Sequence, residues 1–300
     1  MDPIKPVKIV KGMKVSDLVN SFSDCGFNAN KISKAVEILK EAKKEDCRLF
    51  FGFAGAMVPA GMKQIVVDMI NDNTINVLVT TGANITHDLI EALGNKHYKG
   101  NANINDAELH KQGIDRIYDV FMKSDVYKDL EGFFEKNFDI LKDKKTIKEF
   151  LWEIGKLVNK DDCILTACYK KKIPVFCPAL SDSGIGLMIW NNLVKNKKIS
   201  FNEFEDLKEI LDIAWTEKKK MVFYIGGGVP KNYIQQAMQF SSPALYGIQI
   251  TIDDASFGGS SGAPLKEGIS WGKMNEKGKF VNVNCDATIA LPLIYAGYKN

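Results

Sequence analysis

Short apolar runs alternate along the chain with longer amphipathic stretches. Residues 48–53 (RLFFGF), 76–81 (NVLVTT), 173–177 (IPVFC), 221–225 (MVFYI), 246–251 (YGIQIT) and 280–285 (FVNVNC) predict strands. Most are continuously apolar, the pattern of strands buried on both faces of a parallel sheet. Stretches 32–44, 146–159, 201–218 and 229–239 carry helical periodicity. Strand–helix–strand alternation implies an α/β fold, with a Rossmann-like, mostly parallel central sheet and helices on both faces. Residues 1–45 read as a helical N-terminal arm. Residues 95–160 read as a mainly helical insertion, too long for a simple crossover. Nothing resembles a linker or an internal repeat, so 1–300 is expected to be a single domain.

Composition narrows the function classes. Apolar residues make up 45% of the 300 and charged residues 26%, with a formal charge of only +3. Basic and acidic residues are interspersed, so a broad nucleic-acid surface is not expected. No stretch has the apolar length to span a bilayer, and the first residues lack a signal-peptide core. Cys25, Cys47, Cys163, Cys168, Cys177 and Cys285 form no CxxC pair. They read as reduced core thiols of a cytoplasmic protein. His87, His97 and His110 show no HExxH spacing, and no metal is expected.

The strand ends carry candidate chemistry, because open α/β sheets bind ligands beyond the carboxyl ends of their strands. After 48–53 come Ala54, Gly55 and Ala56; after 76–81 come Gly82, Ala83 and Asn84; after 221–225 come Gly226, Gly227 and Gly228; after 280–285 come Asp286 and Ala287. Small residues at strand-to-helix turns let backbone N–H groups approach a pyrophosphate. Glycines also end strands for purely structural reasons. GxGxxG is absent, so an ordinary Rossmann dehydrogenase is not supported. Asp182 and Asp286 could accept from a ribose hydroxyl, or could cap helices.

A further segment runs from the Gly258–Ala263 region (GGSSGA) to EGISWGK, residues 267–273. Lys273 could act as a nucleophile if its amine is neutral. Trp271 could wall the site and stack on a cationic substrate, and Glu267 could hold an ammonium or shuttle a proton. A surface lysine beside a buried Trp is the plain alternative.

EGISWGK resembles the segment around the active lysine of deoxyhypusine synthases. IPVFCPALSD, NVLVTTG, YIGGGVPKN, NCDAT and the opening MKVSDLVNSFSDCGFNANKISKAVEIL resemble further segments of that family, in order, over nearly the whole chain. The resemblance implies an NAD-dependent transferase that oxidises spermidine. Its aminobutyl group would pass to Lys273 as an imine, and then to a lysine of the hypusine-containing translation initiation factor. It implies a homotetramer with sites at subunit interfaces. It implies that Glu267 and Trp271 line the amine channel. Cofactor contacts would come from Thr81, Gly82, Asp182, Gly227, Ser261, Asp286 and Ala287, and the small-residue loop after 48–53 adds Gly55 as a candidate. Where the family usually grips the polyamine with several acids and a histidine, this chain has Thr86, His87, Leu187, Asn232 and Ser260, and Phe257 replaces an acid that faces NAD. His87, Asn232 and Ser260 are the substrate candidates. His87 and Asn232 could instead serve as helix-terminal hydrogen-bonders. The alternatives are transfer to a small amine, as in homospermidine synthase relatives, use of agmatine as donor, or a non-catalytic NAD-binding paralogue.

Overall fold

The continuous apolar runs become buried strands because neither face of the main sheet is left to water. A computed structural model describes residues 1–299. Among these the strands are β1 (Arg48–Phe53), β2 (Val77–Thr80), β3 (Tyr98–Lys99), β4 (Ile114–Ile117), β5 (Val120–Lys123), β6 (Val175–Phe176), β7 (Lys220–Ile225), β8 (Ala244–Ile250) and β9 (Met274–Val283). The first helices are α1 (Val15–Ser21), α2 (Phe27–Lys44), α3 (Lys63–Asn71), α4 (Gly82–Ala92), α5 (Asp106–Lys111) and α6 (Val126–Leu141). The remainder are α7 (Ile147–Val158), α8 (Ile164–Lys171), α9 (Gly184–Val194), α10 (Glu203–Thr216), α11 (Gly228–Gln239) and α12 (Ala287–Lys299). The fold is α/β, with a six-stranded sheet in the order β6-β2-β1-β7-β8-β9. The pairs β1–β7, β7–β8 and β8–β9 are parallel. Contacts divide the chain into two compact units.

The first unit comprises Met1–Ala54, Thr74–Val79 and Lys208–Asn300. Its register aligns Gly52, Tyr224, Gln249 and Asn282 across neighbouring strands. Paired residues share a face, so these four form one row. Helix α11 covers that row, and Gln235 Nε2 donates to the Tyr224 hydroxyl at 3.1 Å. The opposite row holds Phe51, Phe223, Ile248 and Val281, all buried. Burying each of these side chains contributes about 2 kcal/mol. Helix α2 lies on this second face, where the Tyr246 hydroxyl donates to Glu41 at 3.4 Å. Helices α1 and α12 pack with α2, and Gly297 sits close to Val19 and Val36. The N-terminal residues are thus helical from Val15 onward, and α2 is part of the sheet's cover.

The second unit comprises Gly55–Asn73 and Thr80–Leu207. Region 95–160 differs from the expectation of a mainly helical insertion. It holds α5, α6 and α7, but also a three-stranded antiparallel sheet, β3-β5-β4. The β4–β5 hairpin turns through Tyr118 and Asp119, with Tyr118 at φ 54°. A tight hairpin turn usually advertises itself with Gly or Asn; this one uses a tyrosine in the left-handed region. Two buried carboxylates organise the helices here. Asp88 accepts from Ile164 N at 3.0 Å, Leu165 N at 3.1 Å and Cys163 Sγ at 3.1 Å, satisfying the start of α8. Asp206 accepts from Ile147 N at 2.8 Å at the start of α7. All six cysteines are free thiols, four of them buried.

Candidate functional site

In the first unit, β7, β8 and β9 run parallel, so the loops that follow them leave from one edge. Two of these loops touch. A Cβ on Gly227 would lie 2.3 Å from Ser261 Cα, so only glycine permits this approach. Ser261 in turn donates its hydroxyl to Asp253. Beyond β9, Asp286 accepts from Thr288 N at 2.7 Å and from its hydroxyl at 2.5 Å. Asp286 therefore caps α12, with Ala287 as the first helical residue.

Beneath the loops lies a polar cluster that the sequence reading missed. Lys231 is 6% exposed, and its ammonium donates to Gln249 Oε1 at 3.0 Å, Ser260 O at 2.7 Å and Ala263 O at 2.5 Å. The fully buried Gln249 donates to Gly226 O at 3.1 Å and Ser261 O at 2.8 Å, and accepts from Asn282 Nδ2 at 3.1 Å. One lysine and one amide thus tie the Gly226–Gly228 and Gly258–Ala263 loops to the sheet. Burial pushes the Lys231 ammonium down to about 8, with Glu267 opposing the shift and Lys273 adding to it. Two signals were available in the sequence: a glutamine inside the apolar run of β8, and a lysine just after Pro230 on the inner face of α11.

Lys273 immediately precedes β9. Its backbone N–H donates to Gly268 O at 2.8 Å, and its carbonyl accepts from Ala244 N at 3.1 Å. It therefore stands at the amino end of β9, while the glycine loops stand at the carboxyl ends of their strands. A groove of about 450 Å³ connects the two levels. Lys231, Asn232, Gln235, Gln236 and Gln239 line it from α11, and Ser260, Glu267, Trp271 and Lys273 line it from the facing loop. The α11 residues run from position 231 to position 239, eight steps or about 12 Å of helix. Lys273 is half-buried, with Nζ 4.9 Å from the Trp271 ring centroid. The indole thus stacks on the chain's own lysine, although 57% of Trp271 remains exposed. Glu267 is the groove's only carboxylate among the described lining residues.

The remaining candidates lie in the second unit. Gly55, at φ 79°, is in the loop after β1. Thr81 caps α4 by accepting from Asn84 N at 3.3 Å. Gly82 packs so closely on Ser183 that a Cβ would meet Ser183 Cβ at 2.4 Å. Thr81, Gly82 and Asp182 are thereby neighbours. Ser183, not Asp182, caps α9, accepting from Gly186 N at 3.0 Å. Asp182 is exposed, and its carboxylate has no partner among the described residues. His87 sits on α4, where its Nδ1 meets His97 Nε2 at 2.9 Å.

Comparison with known proteins adds a further finding. The family model described as "Deoxyhypusine synthase" matches residues 17–298. A Methanosarcina thermophila protein named "Probable deoxyhypusine synthase" is 44% identical over 300 residues, covering 99% of this chain and 94% of its own. A protein from Archaeoglobus fulgidus named "Probable deoxyhypusine synthase 1" is 41% identical, covering 96% of this chain and 95% of its own. Among solved structures, a candidate deoxyhypusine synthase from Entamoeba histolytica has the same fold, with a TM-score of 0.65 at 19% identity. That likeness covers 98% of this chain and 96% of the other.

Proposed function

Because the chain belongs to the deoxyhypusine synthase family, we propose that it transfers an aminobutyl group from spermidine or a related amine to a lysine of the hypusine-containing translation initiation factor. Lys273 carries the group as an imine, and NAD is the cofactor. The observation that supports this reading is the elongated groove along α11, which holds the Lys273 amine together with Glu267 and Trp271. An extended amine chain suits such a shape. The Lys273 lone pair attacks the oxidised carbon of the donor; the bond from that carbon to the rest of the donor breaks, the departing nitrogen takes a proton and leaves as a free amine, and the C=N bond to Lys273 remains. The acceptor lysine then attacks that carbon, and the bond to Lys273 breaks. Trp271 gives both cationic amines a π-face, and Glu267 holds an ammonium or moves its proton.

The residues present fit NAD. Gly227 and Gly82 let their loops close tightly on Ser261 and Ser183, which brings backbone N–H groups together at the strand ends, and the Asp182 carboxylate has no partner among the described residues. Gly55, Thr81, Gly82, Asp182, Gly227, Ser261, Asp286 and Ala287 are the proposed contacts. When bound, NAD would take up and return the hydride that the transfer needs. His87, Asn232 and Ser260 are proposed to contact the amine. We also propose that residues 1–300 act as one functional domain and that the enzyme works as a cytoplasmic homotetramer. The exposed Trp271 ring leaves a surface for substrate or a neighbouring subunit to cover. One observation favours a second reading, in which the acceptor is a free diamine or the donor is agmatine: the described groove lining holds four side-chain amides and a single acid.

Incubation with NAD, a panel of amines and the purified factor, read by mass spectrometry, tests both readings. A mass gain on the factor supports the first, and a new small polyamine supports the second. Lys273→Ala is expected to bind NAD yet lose transfer entirely. Borohydride is expected to trap the donor fragment on the peptide containing Lys273; trapping on another peptide, or transfer by the Ala variant at the wild-type rate, removes Lys273 from the mechanism.

A further inference from the structure

Helix α4 sets His87 and Glu91 one turn apart on the same face. After the turn at Gly94 the chain brings His97 between them. His97 Nδ1 meets Glu91 Oε1 at 2.7 Å, and His97 Nε2 meets His87 Nδ1 at 2.9 Å. The far Glu91 oxygen accepts from Lys63 of α3 at 2.8 Å, and Lys63 also meets Asp162 at 3.3 Å. The His97 side chain is only 5% exposed and that of Lys63 11%. Although burial opposes it, hydrogen bonds from His97 and Lys63 hold the Glu91 carboxyl below its usual range. An ionised carboxylate only accepts, so His97 Nδ1 carries a proton. In neutral His97, Nε2 is then an acceptor, and His87 Nδ1 donates to it. That leaves His87 Nε2 with its lone pair, and this nitrogen has no partner among the described residues.

We propose that His87, His97 and Glu91 form a proton relay that takes a proton from a bound aliphatic ammonium at His87 Nε2 and lodges the charge on His97. One N–H bond of the ammonium breaks as Nε2–H forms. The Nδ1–H of His87 breaks as His97 Nε2–H forms. The products are a neutral amine, a neutral His87 in its other tautomer, and a His97 imidazolium beside the Glu91 carboxylate. No electrons change hands. His87 is suited to conducting rather than keeping the charge, because burial first and then His97 push its own titration down to about 4. The inference rests on the amine-transfer reading, in which the reacting amine needs a free lone pair. His97 and Glu91 are positioning residues in this scheme, acting through His87.

The test uses the full chain with ¹⁵N-labelled histidine and 1,4-diaminobutane as probe. His87 is expected as the Nδ1–H tautomer, with its Nε2 resonance moving on addition of the diamine but not of sodium chloride at equal ionic strength. An Nε2–H tautomer in the free protein, or a resonance indifferent to the diamine, overturns the relay. In parallel, amine-dependent NADH formation is followed for His97→Phe and His97→Gln. Losses of about 10²-fold near neutral pH are expected, recovering as pH approaches the amine's own pKa of about 10. A loss equal at every pH in a folded variant means a structural role and also overturns the relay. If wild type forms no NADH with any amine, the parent reading fails, while the tautomer and diamine shift still decide the relay.

Discussion

Single residues carry two measurable consequences. Gly227→Ala forces a methyl into the Ser261 backbone. It is expected to cost about 2 kcal/mol and to weaken NAD binding, read by thermal unfolding with and without cofactor. His87 and Asp88, adjacent on α4, titrate with opposite signs. His87 stays neutral in the folded chain down to about pH 4, but the unfolded chain binds its proton near pH 6.5. Its contribution therefore falls as pH falls through that window. Burial pushes the Asp88 carboxyl up to about 6, against the hydrogen bonds from Ile164, Cys163 and Leu165. Its contribution is present below about pH 4 and is lost as pH rises through 6. The two slopes, each up to about 3 kcal/mol, offset one another in wild type. Asp88→Asn should therefore steepen the loss of stability in acid, and His87→Gln should reverse it. Urea unfolding between pH 4 and 7 checks this, and parallel curves for all three proteins would sink it. The sequence showed Asp286 and Asp182 as equals, either caps or ligands. Only the fold separates them, because Ser183 takes the capping position beside Asp182.

At the scale of elements, the Lys231–Gln249 cluster fixes two loops with few atoms. Lys231→Met takes the ammonium donor from Ser260 O and Ala263 O and leaves Gln249 Oε1 with Asn282 alone. Unfolding stability is expected to drop by about 3 kcal/mol, and cleavage by elastase, which cuts after small residues, to concentrate within 258–263. An unchanged cleavage pattern would show that the loops hold without it. Strands were the most legible elements: 48–53 is β1, and 221–225 lies within β7. Apolar runs buried on both faces leave little ambiguity. β9 begins at Met274, well before the predicted start at 280, because MNEKGK reads as a loop, and only its ends, Met274 and Lys279, pair with β8 on either side of a bulge. The β4–β5 hairpin was hidden for another reason. Its turn rests on Tyr118 at positive φ, a choice that no turn signature announces. The lysine segment was legible through family resemblance. Lys231 and Gln249 were not, since polar residues inside apolar patterns disclose a partner only once the fold supplies one.

For the molecule as a whole, the sheet order leaves β9 outermost, with one side of its backbone unpaired by any strand among the described residues. The segment Asn275–Lys279 carries Glu276, Lys277 and Lys279 toward solvent, and Lys279 also reaches Glu41. An uncharged, β-branched border at this position would invite another chain to zip onto it. One carboxylate and two ammonium groups deter such growth by making dehydration expensive. Glu276→Val with Lys277→Thr is expected to leave the fold intact yet make concentrated solutions turn turbid and bind thioflavin. The same few charges that disguised this strand as a loop thus act as a guard against fibril formation.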